Sequence, residues 1–188
     1  MEIVLKSSSP RRFDLLKSKG YSFEVKVYEV DETIDENISA YENVKKLGLK
    51  KAMVNQELDY GKVLIGCDTI VVLDGVIYGK PKDEADAFNT LRKLSGKYHE
   101  VMSGVGIIYK DKIYNFVSVS RVYFKELSDE DINSYIATGE CFGKAGSYAI
   151  QGYGNVLVDH IEGSYENIVG LPIDEVVEIL GEINEMED

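Results

Sequence analysis

The chain has 188 residues, enough for one globular domain with a sizeable core. Its hydrophobic fraction of 44% excludes a disordered chain, and its longest apolar runs are too short to span a membrane. A net charge of −12 argues against binding to a nucleic-acid backbone, which needs a basic surface, but it leaves room for a small phosphorylated ligand held by a local cluster of cations.

The chain opens with a predicted buried strand over residues 2–6, followed by a helix over residues 10–19. Ser9 is the expected N-cap of this helix, and Pro10 occupies its first position. Alternating apolar residues then predict a strand over residues 22–30.

A longer helix is predicted from Ser39 to about Leu58, because Ser39 and Glu42 form a capping-box pattern. Residues 62–73 form a strand run, and Asp74-Gly75 is a hairpin turn signal. The remaining elements follow in chain order: a strand at 76–78, a helix at 83–95, strands at 99–109 and 113–125, a helix from Ser128 to Gly139, a glycine-rich stretch at 143–154, a strand at 155–161 and a helix from about Ile173. This pattern predicts the α/β class, with a mixed sheet in a single domain over residues 1–188.

Two adjacent arginines, Arg11 and Arg12, lie in the first turn of the helix that begins at Pro10. Cations are disfavoured there, because the helix N-terminus already carries a positive partial charge. Together with the free N–H groups of the turn and the serines before it, the two guanidinium groups make a site suited to a phosphate. The alternative is that both arginines are exposed on a solvated helix end.

Lys51 occupies an apolar position of the predicted long helix. The residues that share its face recur at spacings of three and four: Val44, Leu47, Lys51, Val54 and Leu58. A lysine on a core-facing stripe is unfavourable unless it is paired, so Lys51 is a candidate phosphate ligand. The alternative is that its ammonium group reaches water from the edge of the stripe.

Asp68 places a carboxylate inside the apolar strand run 62–73. Such a group usually binds a metal, takes part in chemistry or pairs with a cation, and a purely structural pair with a lysine is the alternative. Glu32 follows Asp31 at the end of the predicted strand 22–30 and could supply a second oxygen ligand to a hard metal ion. Its alternative is an ordinary place on an acidic surface.

Lys80 and Lys82 flank Pro81 at the expected start of a helix and repeat the unfavourable arrangement of the two arginines. The glycine-rich stretch carries Lys144 and Gln151. Its glycines would let a ligand approach the backbone closely, although glycines more often serve turns and bulges.

These residues, in this order, resemble the Maf family of nucleotide pyrophosphatases over nearly the whole chain. The segments that carry the resemblance are Ser7 to Arg12 with Leu15-Leu16, Val30 to Thr33, Lys51-Ala52, Gly66 to Thr69, Gly79 to Pro81, Leu94 to Gly96, His99 to Val101, Gly143 to Gly152, Gly163 to Tyr165 and Val169 to Pro172.

The resemblance implies a Maf/inosine-triphosphatase-like fold, an elongated mixed sheet flanked by helices with a central cleft. It also implies hydrolysis between the α- and β-phosphates with a divalent cation, Mg²⁺ or Mn²⁺. Asp68 corresponds to the family's proton acceptor, and Glu32 with Asp68 would hold the metal. The implied substrate-binding residues are Ser7, Arg11, Arg12, Lys51, Thr69, Lys80, Lys82 and Gln151.

The run Ala149-Ile150-Gln151-Gly152 resembles the branch of the family that acts on dTTP and UTP. The expected function is therefore hydrolysis of these nucleotides to the monophosphate and pyrophosphate, with Asp68 as general base. Two alternatives stay open: a 7-methyl-GTP or broad house-cleaning pyrophosphatase, and a non-catalytic nucleotide-binding regulator of cell division. Only the enzyme needs Asp68 beside a metal.

The chain has two cysteines, Cys67 and Cys141, and begins without the basic start and apolar core of a signal peptide. We therefore expect a reducing, cytoplasmic location. Neither a nucleic acid nor a membrane is an expected partner, and a homodimer is one oligomeric state compatible with the sequence.

Overall fold

The computed structural model describes residues 1–187, in which strands and helices alternate around a seven-stranded mixed sheet. The strands are β1 (Ile3–Leu5), β2 (Glu24–Val25), β3 (Val63–Leu73), β4 (Val76–Tyr78), β5 (Tyr98–Tyr109), β6 (Lys112–Phe124) and β7 (Val158–Glu162). The helices are α1 (Pro10–Ser18), α2 (Ala40–Met53), α3 (Glu84–Leu94), α4 (Asp129–Ala137), α5 (Tyr165–Val169) and α6 (Ile173–Glu185). The predicted α/β class is confirmed.

The strand order in the sheet is β2-β1-β3-β5-β6-β7, and β4 pairs with β3. β1 runs parallel to both β2 and β3, whereas the β3–β4 and β6–β7 pairs are antiparallel. The β3–β4 hairpin turns at Asp74 and Gly75, which both adopt the positive φ that a two-residue hairpin turn requires.

The chain forms two compact units, and the long strands β3, β5 and β6 contribute residues to both. The first unit consists of Met1–Asp68, Ser103–Ser118 and the chain from Gly170 onward, and the second consists of Thr69–Met102 and Val119–Val169. The expectation of a single domain over the whole chain, like that of a central cleft, stays a prediction.

In the first unit, alternate residues of β1 and β3 face two different layers of helix. Ile3, Leu5 and Ile65 belong to the same buried cluster as residues of α1 and α6, whereas Val4 and Leu64 pack with Ala52 of α2. This separation follows from the strand period of two, which sends successive side chains to opposite faces.

In the second unit, buried leucines and isoleucines of α3 and α4 contribute to the core beside an aromatic cluster of His99, Phe124 and Tyr148. The Nε2 atom of His99 lies 2.6 Å from the hydroxyl oxygen of Tyr148. Asn167 of α5 donates to the carbonyl of Val101 and to the hydroxyl of Ser120, which ties α5 to β5 and β6.

Most predicted elements are confirmed to within a residue or two, but three extents were wrong. The strand predicted over 22–30 is only Glu24–Val25. The helix predicted to reach Leu58 ends at Met53, because Val54 leaves the helical conformation and Asn55 adopts a left-handed one. Residues 155–157 belong to a 3₁₀-helix over Gly152–Leu157, and β7 begins only at Val158.

None of the helices within residues 1–187 is long and apolar enough to cross a membrane.

Candidate active site

The first part of the candidate site is the turn between β1 and α1. Ser9 caps α1 by accepting from the backbone N–H of Arg12, Pro10 is the first helical residue, and the first turn holds no acidic side chain. Ser7, which is nearly buried, accepts from the Arg12 guanidinium at 3.0 Å and from the Ser9 N–H at 3.3 Å. One backbone N–H of the turn and the guanidinium of Arg12 therefore meet at Ser7, an arrangement that suits a phosphate.

The Arg12 guanidinium is also fixed from its other side. Its Nε atom donates to the carbonyl oxygen of Gly170 at 2.7 Å, and the Cys67 thiol lies 3.4 Å from the same oxygen. Arg12 is therefore held in place before any ligand arrives, which lowers the conformational entropy lost on binding. Arg11 lies beside it in the first turn of the helix and is half-buried.

The second part of the candidate site is an ion-pair cluster centred on Lys51. Its ammonium nitrogen lies 2.7 Å from Glu32 Oε1 and 2.8 Å from Asp68 Oδ1. The side chains of Lys51 and Asp68 are only 18% and 16% exposed, whereas that of Glu32 is 57% exposed. Burial alone would lower the pKa of Lys51, but the two carboxylates outweigh it and raise that pKa, so Lys51 is charged.

The close approach of α2 to the sheet brings Lys51 within reach of Asp68. A Cβ atom on Gly66 would lie 2.3 Å from the Ala52 nitrogen, and one on Gly48 would lie 2.2 Å from the carbonyl oxygen of Gly104. Only glycine allows helix and strands this close. Sequence reasoning missed this pair of glycines, although Gly48 inside a helical pattern was a visible signal.

Glu32 lies on an irregular segment that a second lysine holds in place. Lys50 donates from its ammonium group to the backbone carbonyl of Asp31 at 2.7 Å. The Asp31 carboxylate accepts from the side chain and the N–H of Thr33, and these hydrogen bonds lower the pKa of Asp31. The segment that carries Glu32 is thus tied to α2 by Lys50 and held in shape by hydrogen bonds between Asp31 and Thr33.

The two parts lie side by side, because the C-terminal end of β1 is next to the middle of the longer strand β3. β1 and β3 run parallel with Leu5 opposite Ile65, and the Lys6 N–H donates to the Ile65 carbonyl. Ser7 and Asp68 follow this pair by two and three residues. The first unit therefore contains six predicted site residues: Ser7, Arg11, Arg12, Glu32, Lys51 and Asp68.

The second unit carries the other predicted residues. Thr69 follows Asp68 within β3, and Gln151 is an exposed residue just before the 3₁₀-helix Gly152–Leu157. Lys80 and Lys82 are both exposed in the segment between β4 and α3.

The inference that Lys80 and Lys82 need an anion to balance a helix N-terminus was wrong. Asp83, the residue after Lys82, is the N-cap of α3, and the first turn of that helix contains Glu84 and Asp86. The Asp86 carboxylate also accepts from the Lys82 N–H at 2.9 Å. These acidic residues already balance the helix dipole, so the two lysines stay candidate ligands through the resemblance alone.

Within residues 1–187, no three histidine, cysteine, aspartate or glutamate side chains are arranged to hold a metal ion by themselves. The expected metal ligands are two carboxylates, Glu32 and Asp68, and both lie within 2.8 Å of one atom, the Lys51 nitrogen. Oxygen donors of this kind suit Mg²⁺ or Mn²⁺, and Mg²⁺ in proteins is often bound by one or two carboxylates together with substrate phosphates. The donor set therefore fits the expected ion in the presence of a phosphorylated substrate.

Comparison with known proteins identifies the family. The family model described as Maf-like protein matches residues 2–183. The chain belongs to the Maf-like protein family. Relatives of this Maf-like protein include a dTTP/UTP pyrophosphatase of Bacillus cereus (strain ATCC 10987 / NRS 248), which is 46% identical over 97% of this chain and 90% of its own length. A dTTP/UTP pyrophosphatase of Caldicellulosiruptor bescii is 47% identical over 91% of this chain and 89% of its own.

Among solved structures, this Maf-like protein is similar to a nucleoside-triphosphatase, a dITP/XTP pyrophosphatase, from Mycobacterium abscessus. That structure is 13% identical, covers 99% of this chain and 98% of its own, and has a TM-score of 0.47. The Ham1 protein of Staphylococcus aureus is 17% identical over 66% of this chain and 72% of its own, with a TM-score of 0.45. The resemblance to the Maf family is confirmed, and the roles of the individual residues stay predictions.

Proposed function

We propose that this Maf-like protein hydrolyses a nucleoside triphosphate, foremost dTTP and UTP, to the monophosphate and pyrophosphate. The observation that carries the proposal is the Lys51 ammonium group held between Asp68 and Glu32, in the unit that also holds the Ser7–Arg12 pair. Relatives named dTTP/UTP pyrophosphatases match 97% of the chain at 46% identity, which supports the same substrates here.

In this proposal the cations bind the triphosphate. Arg12 and Lys51 are already oriented by hydrogen bonds to neighbouring residues, so their positive charges need little rearrangement to receive phosphate oxygens. Arg11, Lys80 and Lys82 add charge around the phosphates. The departing pyrophosphate carries more negative charge than the same two phosphates carry in the bound triphosphate. Preorganised cations therefore stabilise the transition state more than the ground state.

Asp68 is proposed as the general base that orients and deprotonates the attacking water. Its side chain is mostly buried, and Lys51 fixes one of its oxygens at 2.8 Å. A carboxylate held in this way accepts a proton from water placed in line with the α-phosphorus. Glu32 and Asp68 would also hold Mg²⁺ or Mn²⁺, which when bound polarises phosphate oxygens and neutralises their charge.

Gln151 is proposed to recognise the base, with Arg11 and Thr69 as further residues tied to substrate choice. A glutamine side chain offers one acceptor and one donor group, which matches the adjacent N–H and carbonyl of thymine or uracil. A purine or cytosine would leave these groups unpaired, and unpaired polar groups in a closed site reject the wrong base strongly.

Product analysis with a panel of nucleotides tests this function. With Mg²⁺ or Mn²⁺ present, dTTP and UTP should give the monophosphate and pyrophosphate, with a higher kcat/KM than CTP, ATP, GTP or 7-methyl-GTP. Gln151→Ala should narrow that preference, and Asp68→Asn should lower kcat about 1000-fold, within the usual range for loss of a general base.

Three results would contradict the proposal. A diphosphate with orthophosphate as products would place the attack at the γ-phosphorus. Equal kcat/KM values for ATP and dTTP would show that Gln151 does not select the base. Nucleotide binding without any turnover would favour a regulator that does not catalyse.

A further inference from the structure

A clamp of two side chains holds the loop that carries Gln151. Tyr135 lies in the last turn of α4, and Glu140 follows shortly after that helix ends. Loop residues 149–154 lie against this pair through hydrogen bonds from three backbone N–H groups. The N–H groups of Tyr153 and Gly154 donate to the two oxygens of Glu140 at 3.0 and 2.9 Å, and the N–H of Ala149 donates to the Tyr135 hydroxyl at 3.1 Å.

The two clamp residues also bind each other. The Tyr135 hydroxyl donates to Glu140 Oε1 at 2.9 Å, so one hydroxyl group joins the start of the loop to the carboxylate that holds its end. Tyr135 is 3% exposed, and burial raises the pKa of its phenol, which therefore stays a hydrogen-bond donor. Hydrogen bonds to an ionised carboxylate are the stronger kind, so this clamp is stiff.

The loop backbone is shaped to fit the carboxylate. Gly152, the residue after Gln151, has φ +76°, and a Cβ atom there would lie 2.5 Å from Glu140 Oε2. A Cβ atom on Gly154 would lie 1.9 Å from the carbonyl oxygen of Ala149, so the loop also closes tightly on itself. Glycine at both positions permits the close approach, and Gln151 stands between the two anchored ends.

The end of α4 fixes the clamp in turn. Thr138 donates from its hydroxyl group to the Tyr135 carbonyl at 2.6 Å and accepts from the Glu140 N–H at 3.3 Å, and Gly139 turns the chain with φ +76°. The position of Glu140 is therefore set by a helix end rather than by a flexible segment.

We propose that Glu140 and Tyr135 are positioning residues that set nucleotide specificity by holding Gln151 in place. This inference rests on the proposed function, in which Gln151 recognises the base, and it adds residues that do not touch the nucleotide themselves. Base discrimination depends on exact placement of one amide group, whereas phosphate binding depends on several cations of other segments. Loosening the loop should therefore bring the kcat/KM values for different nucleotides closer together rather than abolish turnover.

The test compares Glu140→Gln, Gln151→Ala and the double variant with the unmodified protein, using kcat/KM for dTTP and for ATP. A glutamine keeps the size of Glu140 but loses the charge and replaces one acceptor oxygen with an amino group, which repels an N–H donor. We expect the ratio of dTTP to ATP to fall about tenfold in Glu140→Gln, corresponding to a loss of about 1.4 kcal/mol. The double variant should show the same ratio as Gln151→Ala, because Glu140 acts through Gln151.

Glu130→Gln is the matched control, since it makes the same chemical change at an exposed position of α4, the helix that ends shortly before Glu140. It should keep the dTTP-to-ATP ratio of the unmodified protein. If Glu140→Gln lowers kcat/KM equally for both nucleotides, or lowers only the melting temperature, Glu140 is structural and the proposal fails. Should Glu140→Gln not fold, Tyr135→Phe removes the Ala149 contact and must lower the ratio for the proposal to stand.

Binding measurements separate this inference from the proposed function. Non-hydrolysable α,β-imido analogues of dTTP and ATP report base preference without turnover. If the unmodified protein hydrolyses no nucleotide, the proposed function fails, but a preference for the dTTP analogue that is lost in Glu140→Gln would still support the clamp. Amide hydrogen exchange at Tyr153 and Gly154 should also become faster in this variant, and unchanged exchange would overturn the clamp.

Discussion

At the scale of single residues, Lys51 shows how pairing resolves an unfavourable position. The sequence left three outcomes for a lysine on an apolar stripe: a phosphate ligand, a structural ion pair or an ammonium group that reaches water. In the structure its ammonium group contacts both Asp68 and Glu32, and its pKa is raised despite burial. The pair does not exclude phosphate binding, because an incoming phosphate can share the same ammonium group.

The two ion pairs predict that Lys51 contributes to stability even without ligand. Lys51→Met would remove the ammonium group that lies between the carboxylates of Glu32 and Asp68. We expect the free energy of unfolding to fall by about 2 kcal/mol. This loss is smaller than for a fully buried pair, because water reaches the cluster. For a protein of this size the melting temperature should fall by about 6 °C. Activity should fall about 100-fold, as for loss of one preorganised donor. Thermal melts without ligand and kcat/KM measure both effects.

Lys46→Met is the control, because Lys46 lies exposed on the same helix. Lys50 is unsuitable for this purpose, since its ammonium group holds the segment that carries Glu32. The loss of stability in Lys51→Met should shrink when Asp68→Asn is present, because the repulsion between the carboxylates is then removed. An unchanged or higher melting temperature in Lys51→Met would mean that the ion pairs contribute nothing to the empty fold.

At the scale of elements, the site depends on how closely α2 lies against β3. The atoms nearest to a Cβ on Gly66 are all backbone atoms of α2: the Ala52 nitrogen, the Gly48 carbonyl oxygen and the Lys51 carbonyl carbon. Backbone atoms cannot rotate away as a side chain can. A methyl group at this position would therefore move the whole helix, and Lys51 with it, away from Asp68.

Gly66→Ala should lower both stability and activity. We expect a loss of about 3 kcal/mol in the free energy of unfolding, the upper range for overpacking of a core. The drop in kcat/KM should exceed what the lower folded fraction explains, because the Lys51–Asp68 contact is stretched. Gly181→Ala in α6 is the control, since nothing lies within 4 Å of its Cβ position. Alanine should stabilise that helix slightly. Retained activity in Gly66→Ala would show that the contact is not needed for turnover.

The elements that sequence could predict are those whose ends are set by local contacts. Ser9 and Ser128 cap their helices by hydrogen bonds to residues three positions on, and both starts were predicted correctly. The end of α2 was not, because the Ala52 and Val54 carbonyls accept from the ammonium group of Lys6, which lies 46 and 48 residues away. Leu58, predicted on the buried stripe, is 67% exposed for the same reason.

The candidate site was predictable in its chemistry but not in its pairing. Arg12, Lys51 and Asp68 were each conspicuous as charges in unfavourable positions. The contact between Lys51 and Asp68 depends on the glycines of α2 and β3. The contact between Arg12 and Gly170 joins residues that are 158 positions apart in the chain. Glu140 gave no signal in an acidic sequence, because its role lies in backbone contacts to a distant loop.

At the scale of the whole molecule, the sheet order β2-β1-β3-β5-β6-β7 was beyond sequence reasoning. Local patterns fix where strands begin and end, but which strands become neighbours depends on long-range contacts. The pH dependence of stability likewise depends on long-range contacts, because these decide which titratable side chains are buried. The burial of His99 could not be predicted from its local sequence, yet it is 1% exposed, with its Nε2 at the Tyr148 hydroxyl and its ring against Phe124.

Buried His99 predicts that the protein loses stability in mild acid. Burial lowers the pKa of His99 to about 3 in the folded protein, against about 6.5 in an unfolded chain. The unfolded state therefore takes up a proton as the pH falls below 6.5, while the folded state does not. Stability is full above that pH and is lost progressively down to about pH 3, and the loss at pH 5.0 should be about 2 kcal/mol relative to pH 7.5. The hydrogen bond from Lys26 lowers the pKa of Asp59, so this buried carboxylate titrates at lower pH and contributes little in this window. Denaturant unfolding at pH 7.5 and 5.0 measures the difference for the unmodified protein and for His99→Gln, which keeps a polar group near Tyr148.

His99→Gln should be less stable at pH 7.5 but should lose far less stability on acidification. If both proteins lose the same amount between pH 7.5 and 5.0, the acid sensitivity arises elsewhere.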